Sequence, residues 1–474
     1  MKKKVISAML AAAMIISVTG CGNNGGTESA KDTTASGTET AVSDTKKDGA
    51  ATIEFWTNNR HDEAYMNEMI DSFNASHSDI QINYTILTDD WDNSIQLAYQ
   101  GGTAPDIISI QASDNMTLQT YVDAGIFYNI KDYIAGDEEF QKVTEAYDHK
   151  YEGLTSFGDD IYWVPNGVRT GTRIEWNKDL VNAAGATEIP SKLSDFVELA
   201  KAATNDSTYG IAFTSSSPFS RWLEGCGEMS GATPGGYDYA NGVYDFSSWK
   251  EIVEEAAKLY ADGSVLPGSE NQGVDNSRAL FAQGAFALWG NASQEAGVFT
   301  DQFPCSFDWG VAELPTLTGE VKGALSCSPN GGYDYVMLSS CENKDAAWEV
   351  IKYFSSEDFL KGYFEGGYSI PLSGYMSNIV DTSNIGRLAD FELQDYEDVY
   401  PATPAVSVEG DDWKTVLWNV VLGYVSADEA IEDLNTRYNA ALESGLSNGT
   451  CKRVIVENYD PLQPSAGTVT YKTE

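Results

Sequence analysis

Between residues 51 and 110 the hydrophobic period of the sequence switches repeatedly, and that alternation limits the folds open to the chain. "TIEFW" (Thr52–Trp56) is a short β-branched and aromatic run, and "EAYMNEMIDSFN" then sets Tyr65, Met69, Ile70 and Phe73 on one helical face. "IQINYTIL" alternates apolar and polar residues as a strand does, "WDNSIQLAYQ" returns to helical spacing, and "DIISI" follows the turn "GGTAP". Strand, helix, strand, helix, strand in so short a span predicts an α/β layout with right-handed crossovers.

The pattern continues downstream. "IPSKLSDFVELAKAAT" predicts a helix started near Pro190 that buries Leu193, Phe196, Val197 and Ala200, and "SWKEIVEEAAKLYADG" predicts another that stops at Gly263. "AFALWG" and "YDYVML" are expected strands. "SADEAIEDLNTRYNAAL" opens with the capping-box pair Ser426 and Glu429, then carries Ile431, Leu434, Tyr438 and Leu442 along one face. A chain of 474 residues has room for two or three domain-sized cores.

Residues 1–20 read as an export signal. Lys2, Lys3 and Lys4 form a positive n-region, and the apolar stretch Val5–Val18 is too short to span a bilayer comfortably. It ends in "VTGCGNN", which resembles the bacterial lipobox and gives Cys21 the role of lipid carrier. Residues 21–50 follow as a tether dominated by Gly, Ser, Thr, Asp and Lys, with a coil span of about 30 Å. The expected location is the extracellular face of the bacterial cell membrane, with contact through the lipid anchor only.

Charge excludes one large class of partner. Against 29 Lys and Arg stand 71 Asp and Glu, a net charge of −42, and such a surface repels nucleic-acid backbones. After Cys21, Cys226, Cys305, Cys327, Cys341 and Cys451 remain. Their spacing matches no zinc pattern, and buried free thiols are expected, with one bridge open as an alternative.

From residue 51 to 446 an ordered series of patterns resembles the bacterial extracellular solute-binding proteins of carbohydrate ABC importers, the family 1 group that includes maltose-binding protein. The series runs "IEFWT", "GGTAPDII", "AGIFYNIKDYI", "DDIYWVPNGV…EWNKDL", "IPSKLSDFVELAKA", "LFAQGAFALWGN", "WGVAELPT", "NKDAAWEVIKYFSS" and "DWKTVLWNVVLGYVSADEAIEDLNTRYN". "EWNKDL" departs from the commoner "YNKDL", which bears on strand packing more than on ligand. The resemblance implies a two-lobed periplasmic-binding-protein-like α/β fold with an interlobe cleft and several hinge crossings. Lobe one would take residues 51–165 and 328–370, and lobe two residues 172–322 and 372–448. Crossings would fall near "VPNGVRTG", "KGALSCSP" and "SIPLS". Residues 449–474 run past the family pattern as a tail without an assigned role.

A sugar offers hydroxyl rims and flat C–H faces, so its site should combine planar amides, acids and guanidiniums with Trp or Tyr. In open α/β sheets ligands sit beyond the C-terminal ends of strands. That places Trp56, Asn58, Asn59 and Arg60 after the first strand, Asp89 after the second, and Gln111 and Asp114 after the third. In the second lobe "SRWLEG" offers Arg221, Trp222 and Glu224, and "ALWGN" offers Trp289 and Asn291 at a strand end. Asn166, Asn330 and Tyr333 lie near expected crossings. Trp413 precedes an apolar helix in a region from which the family often presents an aromatic to its sugar, whereas Trp418 reads as core.

Most of the 11 Trp and 26 Tyr must serve cores, and Asp89 and Asp114 are equally suited to turns. With 71 acids, carboxylate pairs arise by chance, and no nucleophile elbow, P-loop or H-E-x-x-H motif is present. His61 and Asp62 have no accompanying nucleophile, and Asp62 and Glu63 are placed to favour the start of the following helix. The expectation is therefore a monomeric binding lipoprotein, not an enzyme and without a cofactor. It would capture an oligosaccharide by hinge closure and deliver it to a transmembrane permease. A non-sugar solute (polyamine, peptide or metal chelate) and a surface glycoside hydrolase are the alternatives.

Overall fold

The computed structural model describes residues 49–87, 90–110, 115–138, 140–144, 157–167, 172–214, 218–326, 333–371, 378–381 and 385–473. The expected signal peptide, residues 21–48 of the expected tether (Cys21 included) and Cys327 lie outside these residues, as do Asp89, Gln111, Asp114 and Asn330.

Alternation in the first strands produces a one-sided sheet. In β1 (Ala51–Thr57), Ile53, Phe55 and Thr57 are buried while their neighbours are half-buried. β1 runs parallel to β2 (Ile80–Ile86) and to β3 (Ile107–Ile110). β4 (Trp163–Val164) and β12 (Asp334–Met337) complete a sheet of order β2-β1-β3-β12-β4, in which β12 is antiparallel to both β3 and β4. One face packs on the helices Glu63–Ser76, Lys344–Phe354 and Glu357–Glu365 through Phe55, Phe73, Phe354 and Phe359. The other face packs Ile108, Ile110, Trp163 and Val336 on Ile95 and Tyr121. In the helix Glu63–Ser76 Met66, Ile70 and Phe73 are buried, and the expected Tyr65 and Met69 pack half-buried on the same core.

A second sheet follows. β5 (Arg173–Asn177), β6 (Tyr209–Ala212), β9 (Phe286–Asn291) and β10 (Trp309–Ala312) have the order β10-β5-β9-β6, with β6 and β9 parallel and the other pairs antiparallel. Every residue of β5 and of β9 is buried, as in a sheet covered on both faces. The helix Leu193–Ala203 buries Leu193, Phe196, Val197 and Ala200, as its spacing predicts. Ser426 and Glu429 form the expected capping box of the helix Ala427–Asn448, which Gly449 closes in the left-handed conformation. Short pairs decorate this half: β7 (Tyr237–Asp238) with β8 (Val243–Tyr244), and β11 (Leu325–Ser326) with β13 (Glu397–Asp398).

The tail is part of the folded body. β14 (Arg453–Glu457) and β15 (Thr468–Lys472) form an antiparallel hairpin whose Val454 and Val456 join the second core. The Tyr237 hydroxyl donates to the Val454 carbonyl at 2.9 Å and accepts from the Val454 amide at 3.0 Å. Ile379 and Val380, in a segment expected in the second lobe, pack instead on the first core.

The connections between the sheets pack together. The Asn166 side chain accepts from the Tyr333 amide at 2.9 Å, tying the chain after β4 to the start of β12. Gly167 has φ +117°, and a Cβ there would lie 2.5 Å from Ser369 Oγ, 2.7 Å from Phe364 Cε1 and 2.8 Å from the Ile370 carbonyl. Only glycine permits that approach. Ile370 in turn touches cores of both sheets.

Cys226, Cys305, Cys341 and Cys451 are free thiols. Among the described residues no helix is long and apolar enough to cross a membrane, and no group of three or more His, Cys, Asp or Glu is placed to hold a metal.

Candidate functional site

Register fixes which strand ends share an edge in each of the two sheets. In the first sheet the C-terminal ends of β1, β3 and β4 share an edge with the start of β12, because Asp334 pairs with Ile110. In the second sheet the ends of β6 and β9 share an edge with the start of β5, because Arg173 pairs with Asn291. One ion pair joins the edges: Arg60 Nη2, on the loop after β1, lies 2.6 Å from Asp275 Oδ2 on the helix Val274–Ala282.

Asp275 begins a continuous hydrogen-bonded chain. Its Oδ1 accepts from Arg278 Nη1 at 2.9 Å. Arg278 also grips Glu295, Nε to Oε2 at 3.0 Å and Nη2 to Oε1 at 2.5 Å. This two-pronged contact suits a guanidinium and a carboxylate. Glu295 Oε1 accepts from Asn291 Nδ2 at 3.0 Å, and Asn291 Oδ1 accepts from Arg221 Nη1 at 2.5 Å. Burial opposes ionisation of Asp275, but hydrogen bonds from Arg60 and Arg278 outweigh it and hold the carboxyl below its usual range. Glu175 lies under the chain on β5, fully buried, and neither of its carboxyl oxygens has a hydrogen-bond partner. Desolvation, then the neighbouring Glu295, push its carboxyl well above the usual range despite Arg278 and Arg221.

The loop after β1 supplies the facing groups. Asn59 is 2% exposed; its amide N–H donates to Thr57 Oγ1, and its Oδ1 accepts from the His61 amide. That turn leaves Asn59 Nδ2 buried without a hydrogen-bond partner, and Asn58 Oδ1 is in the same condition. Trp56 is half-buried, with part of its surface on the first-sheet core. Asp62 does not cap the helix with its side chain; its Oδ2 accepts from the Tyr363 hydroxyl at 2.7 Å.

The structure brings Asn59, Arg60 and Asn291 into one arrangement and corrects other expectations. Trp222 is 0% exposed, its indole stacked on Phe196 and tilted against Phe213, and Trp289 is 1% exposed among Phe281, Phe286 and Phe299. Both are core residues, with no ring face left for a sugar. Trp413 packs on Phe219 and Trp249 at the margin of the second core, with Lys414 over its ring. Glu224 accepts from Lys414 Nζ at 2.9 Å. Asn166 and Tyr333 bind each other at the crossings. Trp418 is core, as expected.

Asp275, Arg278 and Glu295 are absent from the candidate residues expected from sequence. The Arg278–Asp275 pair is an i,i+3 contact on one helix and was open to sequence reasoning. The Arg60–Asp275 contact spans 215 residues and has no local signal.

Two α/β domains joined by packed crossings, with facing strand ends, define a fold of the periplasmic-binding-protein type. Residues 68–421 match the family of bacterial extracellular solute-binding proteins, and the chain belongs to that family. Its members are binding proteins for transport, not enzymes. Solved structures of similar fold include the GacH receptor of Streptomyces glaucescens (20% identity, TM-score 0.64, covering 83% of this chain and 99% of that one). The maltose/maltodextrin-binding domain MalE from Bdellovibrio bacteriovorus, bound to maltotriose, is 17% identical with a TM-score of 0.64, covering 83% and 100%. An ABC substrate-binding protein from Listeria monocytogenes, in complex with cycloalternan, is 17% identical with a TM-score of 0.62, covering 83% and 99%. Among curated protein sequences no relative matches.

Proposed function

We propose that this protein captures an oligosaccharide outside the cell and delivers it to the permease of an ABC importer, as a monomeric lipoprotein of the maltose-binding-protein-like group anchored through Cys21. The observation that carries the reading is the Arg60–Asp275 bridge, flanked by the amides of Asn59 and Asn291 at facing strand ends. Amides and guanidiniums present planar donor and acceptor sets of the kind that pair with sugar hydroxyls. The similar structures named above hold acarbose, maltotriose and cycloalternan, which supports a glycan over a polyamine or peptide.

Capture works by closure. A ligand that touches both lobes only when they approach shifts the population toward the closed form, which the permease then recognises. Trp56 supplies apolar contact to a ring face, Asn58, Asn59 and Arg60 take hydroxyls from one side, and Asn291 with Arg221 takes them from the other. Asp89, Gln111, Asp114 and Asn330 are proposed to contribute from the neighbouring loops. A calorimetric screen of mono- and oligosaccharides against the purified protein tests the reading. Saturable heat with at least one glycan is expected, and its absence from every glycan overturns it.

A further inference from the structure

The start of β12 carries an unsatisfied group. Asp334 is 0% exposed, and neither of its carboxyl oxygens has a hydrogen-bond partner. Tyr335 packs its ring on Phe55 and Phe354, so Asp334 and Val336 point to the opposite face of the sheet. Val336 joins Ile108, Ile110 and Trp163 there, and Trp56 and Trp91 pack half-buried on the same core. Asp334 lies beyond Val336, at the sheet edge that holds the ends of β1 and β3. Burial without a counter-charge holds its carboxyl well above the usual range. A carboxyl left in this condition in a central strand costs stability, which suits a binding group and not a structural one.

A second, independent atom stands on the same edge. Thr57 pairs with Ser109 and Ile110 pairs with Asp334, so Asn58, next after Thr57, falls level with Asp334 two strands away, about 10 Å. Asn58 Oδ1 is buried and has no hydrogen-bond partner. Both positions therefore offer acceptors to a solute at the strand ends. A sugar hydroxyl would give the carboxyl one donor and no counter-charge. An ammonium gives three donors and the charge, and a chain with 71 acids against 29 bases draws a cation toward it.

We propose that the solute is an oligosaccharide bearing a protonated primary amine, as glucosamine units do, and that Asp334 binds the ammonium while Asn58 Oδ1 accepts from a neighbouring donor of the same solute. As the pair forms, the carboxyl releases its proton to solvent and its two oxygens accept from the ammonium. The proposal rests on the carbohydrate reading and narrows it. Selection against neutral sugars comes from the buried carboxyl left without its cation.

Calorimetric titration of the purified protein at pH 6 with the β-1,4-linked glucosamine trimer, its fully N-acetylated form and cellotriose tests this, since the three differ only in the group at C2. The amine should bind at least tenfold more tightly than either neutral trisaccharide. Asp334→Asn and Asp334→Ser remove the carboxyl at equal and at smaller size, and each should reduce that ratio at least tenfold. Equal or tighter binding of the acetylated trimer or of cellotriose overturns the amine assignment and leaves the carbohydrate reading standing. An amine-to-neutral ratio unchanged in both variants overturns the placement at Asp334. Heat from spermidine, with none from any trisaccharide, overturns the proposal and counts against the carbohydrate reading as well. No heat from any of these probes overturns the proposal, and the wider glycan screen then decides the carbohydrate reading separately.

Discussion

Arg60 and Asp275 meet at 2.6 Å across 215 residues of sequence, one on the loop that ends the first strand of the first sheet, the other on a helix of the second domain. Their side chains are 44% and 43% exposed. An ion pair so open to water contributes about 0–1 kcal/mol, so its effect falls on the spacing of the lobes rather than on folding.

Asp275→Asn should therefore enlarge the ligand-free protein and leave its melting temperature within about 2 °C of the parent. Small-angle scattering reads the first effect and calorimetry the second. The Asp275 carboxyl is held below its usual range, so the pairing is complete at neutral pH and is lost as pH falls through that depressed value. The parent protein should expand in that acid window, and the variant should not. A parent dimension that ignores both the substitution and acid would remove the bridge from the account.

Glu228 gives the opposite sign. It is fully buried, with Oε2 accepting from the Ser326 amide at 2.8 Å, and desolvation with the nearby Glu224 pushes its carboxyl up to about 8. The native state therefore keeps a proton that the unfolded chain releases near pH 4, and stability declines as pH rises from there to about 8. Glu228→Gln retains an acceptor for Ser326 and carries no charge. Its melting temperature at pH 8 should exceed the parent's by a few degrees, with the difference shrinking toward pH 5. Parallel pH profiles would show that Glu228 is not protonated in the fold.

Gly167→Ala should destabilise by about 2 kcal/mol or more. The added methyl group meets Ser369, Phe364 and Ile370 at 2.5–2.8 Å at a φ of +117°. Chemical denaturation measures the loss. A shift below about 0.5 kcal/mol would mean that the crossings separate readily and do not form a packed joint.

Two tryptophans that look alike in sequence should behave differently. Trp222→Ala empties the stack with Phe196 and Phe213 and should cost about 3–5 kcal/mol. Trp56→Ala removes a half-buried ring beside Asn58 and Asn59, and should weaken glycan binding at least tenfold with a smaller loss of stability. Denaturant melts and titrations of both variants separate the roles, and a large stability loss for Trp56→Ala without an affinity loss would reverse its assignment.

The α/β layout was legible because each element carries its own period: the alternation of Ile53 and Phe55, the Leu193–Phe196–Val197–Ala200 stripe and the Ser426–Glu429 box are all local. Met66 joins the first-sheet core beside the expected Met69, because residues three apart on a helix share a face. Trp222 and Trp289 are core residues because an aromatic is buried or open according to residues far away in sequence. The tail hairpin had a visible sign in the alternation of "RVIVE" and "TVTYK". Of the residues proposed to bind ligand, Asn59, Arg60 and Asn291 were expected from strand ends and Arg221 from "SRWLEG", whereas Asp275 joins Arg60 through a contact that only the folded chain creates.

The most direct measurement is a crystal structure with a glycan that gives saturable heat. The account predicts the sugar between the lobes, in contact with Asn59 and Arg60 on one side and with Arg221 or Asn291 on the other. A glycan bound elsewhere, such as the 700 Å³ groove beside Phe73, Phe140 and Tyr353, with the Arg60–Asp275 region empty, would contradict it.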